Sequence, residues 1–245
     1  MVLKSVLHAA ALICALACAA PHAQAQELVT NGGFESTTSG ANKQVGYNTN
    51  LPGWSVPANS YSFVYASITG TAASSNGPLA LWNATNGGSA LASNSPTGGN
   101  FYAFDTGYGA QGPLTQTLRG LQAGTYQVSF DWAAAQQYQY TGQTWESWTV
   151  KLGNAAAQST ATVFNPSKSF TGWMHETMTF TVGAGDAVLS FLAKGGPEGV
   201  PPFALLDSVS VVAVPEPATI TLFALGLGFV GLMRSGTRAS KKQTA

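Results

Sequence analysis

Cysteine, histidine and charge are all scarce in this 245-residue chain, and each shortage removes a class of chemistry. The two cysteines, Cys14 and Cys18, both fall in the first eighteen residues. They lie within an apolar leader: Lys4 is its cationic start, residues 6–20 its apolar stretch, and Ala23-Gln24-Ala25 a small-x-small cleavage site. Removing residues 1–25 leaves no cysteine, so disulfides and thiolate catalysis are excluded from the mature protein. His8 and His22 leave with the same leader, and His175 alone remains. A single histidine is a poor basis for catalytic zinc, which takes two or three His or Cys ligands. No G-x-S-x-G elbow supplies a nucleophile for a serine triad. Residues 26–213 carry five basic and nine acidic side chains, a net charge of −4. That sparse, mildly acidic surface excludes nucleic acid, which requires clustered cations.

Helical periodicity is also missing between residues 26 and 213, whereas period-two alternation is plentiful. Tyr126, Val128, Phe130 and Trp132 share one face of a strand, with Gln127, Ser129 and Asp131 on the other. Met178, Phe180 and Val182 alternate with Thr177, Thr179 and Thr181, and Trp148, Val150 and Leu152 repeat the pattern before Gly153-Asn154. Residues 188–192 and 204–212 are more continuously apolar, as central strands of a sandwich should be. The expectation is an all-β domain over residues 26–213, an antiparallel two-sheet β-sandwich of jelly-roll type.

The C-terminus is organised differently. Val214-Pro215-Glu216-Pro217 is followed by sixteen uncharged residues, 218–233, and then by Arg234, Arg238, Lys241 and Lys242. As a helix the apolar run is roughly 24 Å long at about 1.5 Å per residue. That is short for a bilayer core of about 30 Å, but Arg234 reaching to the headgroups makes a span feasible. The cationic tail places the C-terminus in the cytoplasm and the domain outside. Gly226, Gly228 and Gly231 match a dinucleotide-binding G-x-G-x-x-G. They lack its preceding strand and following acid, and fit helix packing in a membrane instead.

This ending resembles the PEP-CTERM sorting signal of Gram-negative, exopolysaccharide-producing bacteria. The resemblance implies export through the Sec translocon, leader removal by signal peptidase, and cleavage by a membrane exosortase at Pro215, Glu216 and Pro217. The product is expected at the cell surface or in the extracellular matrix. Residues 28–35 with Leu51-Pro52-Gly53-Trp54, residues 124–130 and residues 206–211 are similar to segments of galactose-binding-like jelly-roll modules. Such modules often hold a structural calcium between first and last strands, which points by resemblance to Glu35 and Asp207 as ligands; no other cofactor is expected.

Aromatics supply the leading functional expectation. Sugar rings stack on aromatic planes while their hydroxyls bond to amides. Residues 136–145 interleave the two, making Tyr138, Tyr140 and Trp145 the candidate carbohydrate contacts, with a polysaccharide or surface glycan as partner. Trp132 and Trp54 are read as packing residues. A non-catalytic, carbohydrate-binding surface protein is therefore expected, with a purely structural matrix protein as the alternative. A carboxylate glycosidase using Glu146 and Glu176, with Asp131, is the remaining enzymatic reading. Asn83-Ala84-Thr85 matches an N-glycosylation sequon.

Overall fold

A computed structural model describes residues 26–89, 94–109 and 112–215. The leader, Glu216 and Pro217, the apolar run and the basic tail all lie outside the described residues. Among the described residues every regular element is a strand, and no helix is long and apolar enough to cross a membrane.

Thirteen strands run in the order β1 (Lys43–Gln44), β2 (Ser60–Tyr65), β3 (Thr71–Ala72), β4 (Leu79–Ala80), β5 (Phe101–Gly109), β6 (Leu114–Leu121), β7 (Gly124–Gln136), β8 (Thr144–Leu152), β9 (Gln158–Ser159), β10 (Val163–Asn165), β11 (Met174–Val182), β12 (Gly185–Gly196) and β13 (Pro202–Ala213). They form a six-stranded sheet, β1-β2-β5-β13-β7-β11, and a second sheet, β10-β8-β12-β6, with β9 on β8. All the strand pairs are antiparallel, and β3 and β4 make a separate ribbon. The expected antiparallel sandwich is the architecture found.

The alternating side chains decide how the layers meet. Tyr126, Val128, Phe130 and Trp132 of β7 join Trp148, Val150 and Leu152 of β8 and Leu189 and Phe191 of β12 in the core between the sheets. The Trp148 indole crosses that core and donates its Nε1–H to the Leu205 carbonyl of the opposite sheet at 3.1 Å. On the other face of the six-stranded sheet lies a second cluster: Phe63, Tyr65, Phe101, Ala103, Ala133, Ala135, Phe203 and Leu205. Ile68, Leu79, Leu81 and Phe170 cover it. This lid explains why β2 is buried along its whole length and why alternation is lost at Ala133–Ala135, since both sheet faces there are dry.

Both ends of the domain tie to the same strands. Leu28 donates its amide to Val211 at 3.0 Å, Val209 donates to Gly32 at 3.0 Å, and Val214 donates to Thr125 at 2.9 Å. Trp54 packs at the first turn as expected, with its ring 5.5 Å from Phe34 and its Nε1–H donated to the Asn31 carbonyl at 2.9 Å.

Trp148→Ala removes both the cross-layer hydrogen bond and a large buried side chain. It should cost about 3–5 kcal/mol in urea unfolding, whereas Phe164→Ala on the exposed edge should cost within about 0.5 kcal/mol. Equal losses would refute the layer assignment.

Candidate functional site

Three tyrosines that are far apart in sequence come together beside β1 and β2. The segment from Tyr47 to Asn59 curls over the start of β2 and leaves a cleft of about 590 Å³. Tyr47 and Tyr108 stand at its rim, 62% and 56% exposed. Tyr61 is buried at its wall, edge-on to Tyr108 with ring centroids 5.2 Å apart. The Tyr61 hydroxyl hydrogen-bonds to that of Ser74 at 3.0 Å, which fixes the ring. Asn50, Asn59 and Asn76 add amides to the lining, and among the described residues no charged side chain lines the cleft. Gln44 also borders it but is already committed, accepting from the Ser75 amide at 2.8 Å and donating to the Ser60 carbonyl at 3.3 Å.

Asp105 braces the irregular end of β5 that carries Tyr108, where the register with β2 shifts. Its Oδ1 accepts the Gly107 amide at 2.8 Å. Burial pushes its carboxyl up to about 7, although backbone hydrogen bonds from Gly107 and Tyr108 pull the other way.

The sequence-derived aromatic candidates do not form one site. Tyr138 packs edge-on against Trp82, with centroids 4.7 Å apart, and the Trp82 Nε1–H is donated to the Tyr140 carbonyl at 2.7 Å. Lys168 places its Nζ 5.2 Å from the centre of the same indole. These groups largely satisfy one another. Trp145 stands apart, the second residue of β8 rather than part of a loop, in register with Phe164 of β10 and Gly196 of β12. A Cβ on Gly196 would lie 2.8 Å from the Trp145 Nε1, so the missing side chain is what lets the indole rest there. With Phe164 exposed beside it, Trp145 makes a second, smaller aromatic surface.

Glu35 and Asp207 do come together. Both pack on residues 97–100: Glu35 accepts the Asn100 amide at 2.8 Å, and the Thr97 hydroxyl donates to Asp207 Oδ2 at 3.2 Å. Gly99 is required between them; its φ is +76°, and a Cβ there would lie 1.8 Å from Glu35 Oε1. Asp207 is fully buried and its Oδ1 has no hydrogen-bond partner. Burial raises its carboxyl to about 6, and the negative charge of Glu35 adds to the rise. Among the described residues no three His, Cys, Asp or Glu side chains converge on one point. A cation held here would therefore rest on two carboxylates completed by hydroxyl and carbonyl oxygens, a donor set that suits calcium.

Other candidates are dispersed. Glu146 is fully buried between the sheets, out of reach of a glycosidic oxygen, so it cannot pair with Glu176 of β11 for hydrolysis. Asp131 is bound to His175, with Oδ1 to Nδ1 at 2.8 Å. Asn83 is buried and spends its Nδ2 on the Ile68 and Leu81 carbonyls, which leaves the sequon no free acceptor in the folded protein.

Residues 213–239 match the PEP-CTERM protein-sorting motif. The chain carries an exosortase sorting signal. The PEP-CTERM match begins at Ala213, the last residue of β13, and marks the chain as an exported, membrane-anchored precursor. Among curated proteins none matches the chain by sequence. Solved structures resemble it in fold. The carbohydrate-binding module TmCBM61, solved in complex with beta-1,4-galactotriose, is 14% identical over 77% of this chain and 99% of its own, with a TM-score of 0.41. The CBM22-1 xylan-binding domain of Paenibacillus barcinonensis Xyn10C is 12% identical over 79% and 97%, with a TM-score of 0.40. The enzymatically active domain of bacteriophage CBA120 tailspike protein 4 is 14% identical over 77% and 21%, with a TM-score of 0.37. Likeness at this level carries no ligand over.

Asp105 has a measurable signature. Between about pH 4 and 7 the folded protein keeps a proton on this carboxyl that the unfolded chain has released, so stability falls as pH rises through that window. Glu146 and Asp207, also raised, slope the same way. Asp105→Asn should make the fall in melting temperature between pH 5 and 8 shallower by roughly 5 °C; a profile parallel to wild type would disprove the assignment.

Proposed function

We propose that the exported domain binds a neutral polysaccharide in the cleft between Tyr47, Tyr61 and Tyr108. The observation that carries this reading is the cleft's lining: two exposed tyrosine rings beside asparagine amides, with no charged side chain among the described residues. Pyranose rings offer apolar C–H faces to such tyrosines and hydroxyls to the amides. The volume of about 590 Å³ falls within the usual range for ligand sites, about 300–1,000 Å³. Trp145 with Phe164 supplies an accessory stacking surface, while Tyr138 packs on Trp82 and the Tyr140 ring stays exposed beside it. The protein works without catalysis at the cell surface or in the exopolysaccharide matrix, after release of the leader and processing by the exosortase.

Affinity electrophoresis through gels containing the producer's own polysaccharide tests this reading. Tyr47→Ala with Tyr108→Ala should weaken retardation at least about tenfold, consistent with about 1.4 kcal/mol or more of lost stacking. Trp145→Ala should weaken it less, and Tyr138→Ala hardly at all. Unchanged retardation in the double variant rules the cleft out, and no retardation of the wild type leaves a purely structural matrix component.

Calcium is the proposed clamp at Glu35 and Asp207. The orphaned, buried Asp207 Oδ1 supports it, as does the second carboxylate held by the 97–100 segment. Such an ion would join the first turn to β13 where no disulfide exists. Chelation by EGTA should lower the melting temperature by roughly 5–10 °C, and Asp207→Asn should abolish the response. A chelator-insensitive wild type removes the clamp.

A further inference from the structure

One buried acid has no part in the functions above. Glu146 lies on the inward face of β8 at zero exposure, and neither of its carboxylate oxygens has a hydrogen-bond partner. Thr144 is two residues away on the same face, and its Oγ1 is likewise buried and unpartnered. Asn165 of β10 is in direct register with Thr144, so it shares that face; its Nδ2 donates to the Ser169 carbonyl at 3.0 Å, but its Oδ1 is also orphaned. Four oxygens thus face one region of the interior.

With Glu146 ionised, three of those oxygens can only accept, and the Thr144 hydroxyl brings a single proton. The unpartnered donors of the inter-sheet core among the described residues, the Trp132 Nε1–H and the Tyr102 hydroxyl, are neutral and bring no compensating charge. In the sheet Glu146 is flanked by Val163 and Gly195. Across the layer Trp148 reaches Leu205, and the neighbouring residues Ala204 and Ala134, paired with each other, are small and fully buried. None of these residues titrates. The nearest cations along the paired strands, Lys151 of β8 and Lys194 of β12, are exposed. The carboxylate is therefore neutralised from outside the chain, either by a proton or by a cation.

We propose that these buried oxygens hold one small monovalent cation, sodium or potassium, ligated by Glu146 with Thr144 Oγ1 and Asn165 Oδ1. The charge count selects the valence: one carboxylate neutralises one positive charge, whereas a divalent ion would leave a net charge in an apolar layer. The ligand type selects the ion, since carboxylate, hydroxyl and amide oxygens are hard donors and no nitrogen or sulfur is offered. A proton competes for the same place. Without a counter-charge, burial pushes the Glu146 carboxyl up to about 8, although Thr144 beside it favours the ionised form. The ion should therefore bind best above that pH. The site is separate from the Glu35–Asp207 pair, which lies near the 97–100 segment.

The test is thermal unfolding of the exported domain in sodium, potassium or choline chloride at equal ionic strength, with calcium constant. At about pH 9 sodium or potassium should raise the melting temperature by roughly 3–6 °C over choline, and at about pH 6 the difference should shrink as the proton takes over. Glu146→Gln, which keeps the shape, should remove the salt difference, and Asp207→Asn should retain it. Crystals grown in rubidium chloride should show anomalous density between β8 and β10. Equal melting in all three salts at about pH 9, or a salt response that survives in Glu146→Gln, overturns the proposal. So does a fall with pH that no salt relieves, which assigns the place to a proton or water.

Discussion

The fold depends on burying both faces of one sheet without any covalent staple. With no cysteine beyond the leader, the domain relies on the area its aromatics remove from water. Phe63, Tyr65, Phe101 and Phe203 occupy one side of the six-stranded sheet, and Tyr102, Phe104, Phe130 and Trp132 the other. At about 25 cal/mol per Å² of apolar area, rings of 150–250 Å² each are the most effective means available. The ribbon of β3 and β4 and the Phe170 turn exist to close the outer cluster. The cleft lies where that lid stops, at Tyr61 and Tyr108, so the site is the unfinished edge of a hydrophobic cover.

Much of this was legible in the sequence. The period-two runs at 126–132, 148–152 and 178–182 identify β7, β8 and β11 because each has one wet face and one dry face. Alternation fails where both faces are dry, which is why no period-two pattern marks β2 and why the pattern of β7 stops at Trp132 although the strand runs to Gln136. Trp132 and Trp54 were correctly assigned to packing, since their neighbours fixed which way they point. The cleft was invisible for a different reason. Tyr47, Tyr61 and Tyr108 carry no local motif, and only the pairing of β1 and β5 with β2 sets them side by side. Local density of aromatics at 136–145 does not make one cluster, because the chain bends between Tyr140 and Thr144 and sends Tyr138 and Trp145 to different partners. That Glu35 and Asp207 lie near each other is signalled by resemblance to a known arrangement of first and last strands, not by any spacing in the chain.

Low charge density leaves its mark on the acids that remain. Asp105, Glu146 and Asp207 are all buried, and all three have carboxyls raised by desolvation. None has a basic partner, for the domain has few bases to give. Their roles diverge with their hydrogen bonds. Asp105 is satisfied by backbone amides and shapes the irregular end of β5. Asp207 is half satisfied by Thr97, and Glu146 lacks any well-formed partner. The degree of unmet bonding, rather than the number of acids, separates a structural carboxylate from one that needs a counter-ion.

The placement of β13 has a mechanical corollary. This strand is internal to its sheet, hydrogen-bonded to β5 on one side and β7 on the other, and it ends at the residue where the sorting motif begins. Tension applied through the residues after Val214 first meets the pairing of residues 210–213 with β7 and then, deeper in the strand, the double pairing of residues 203–206 with β5 and β7, so the strand is held along its length rather than at one end. The chain's exit point is built to bear a sustained pull.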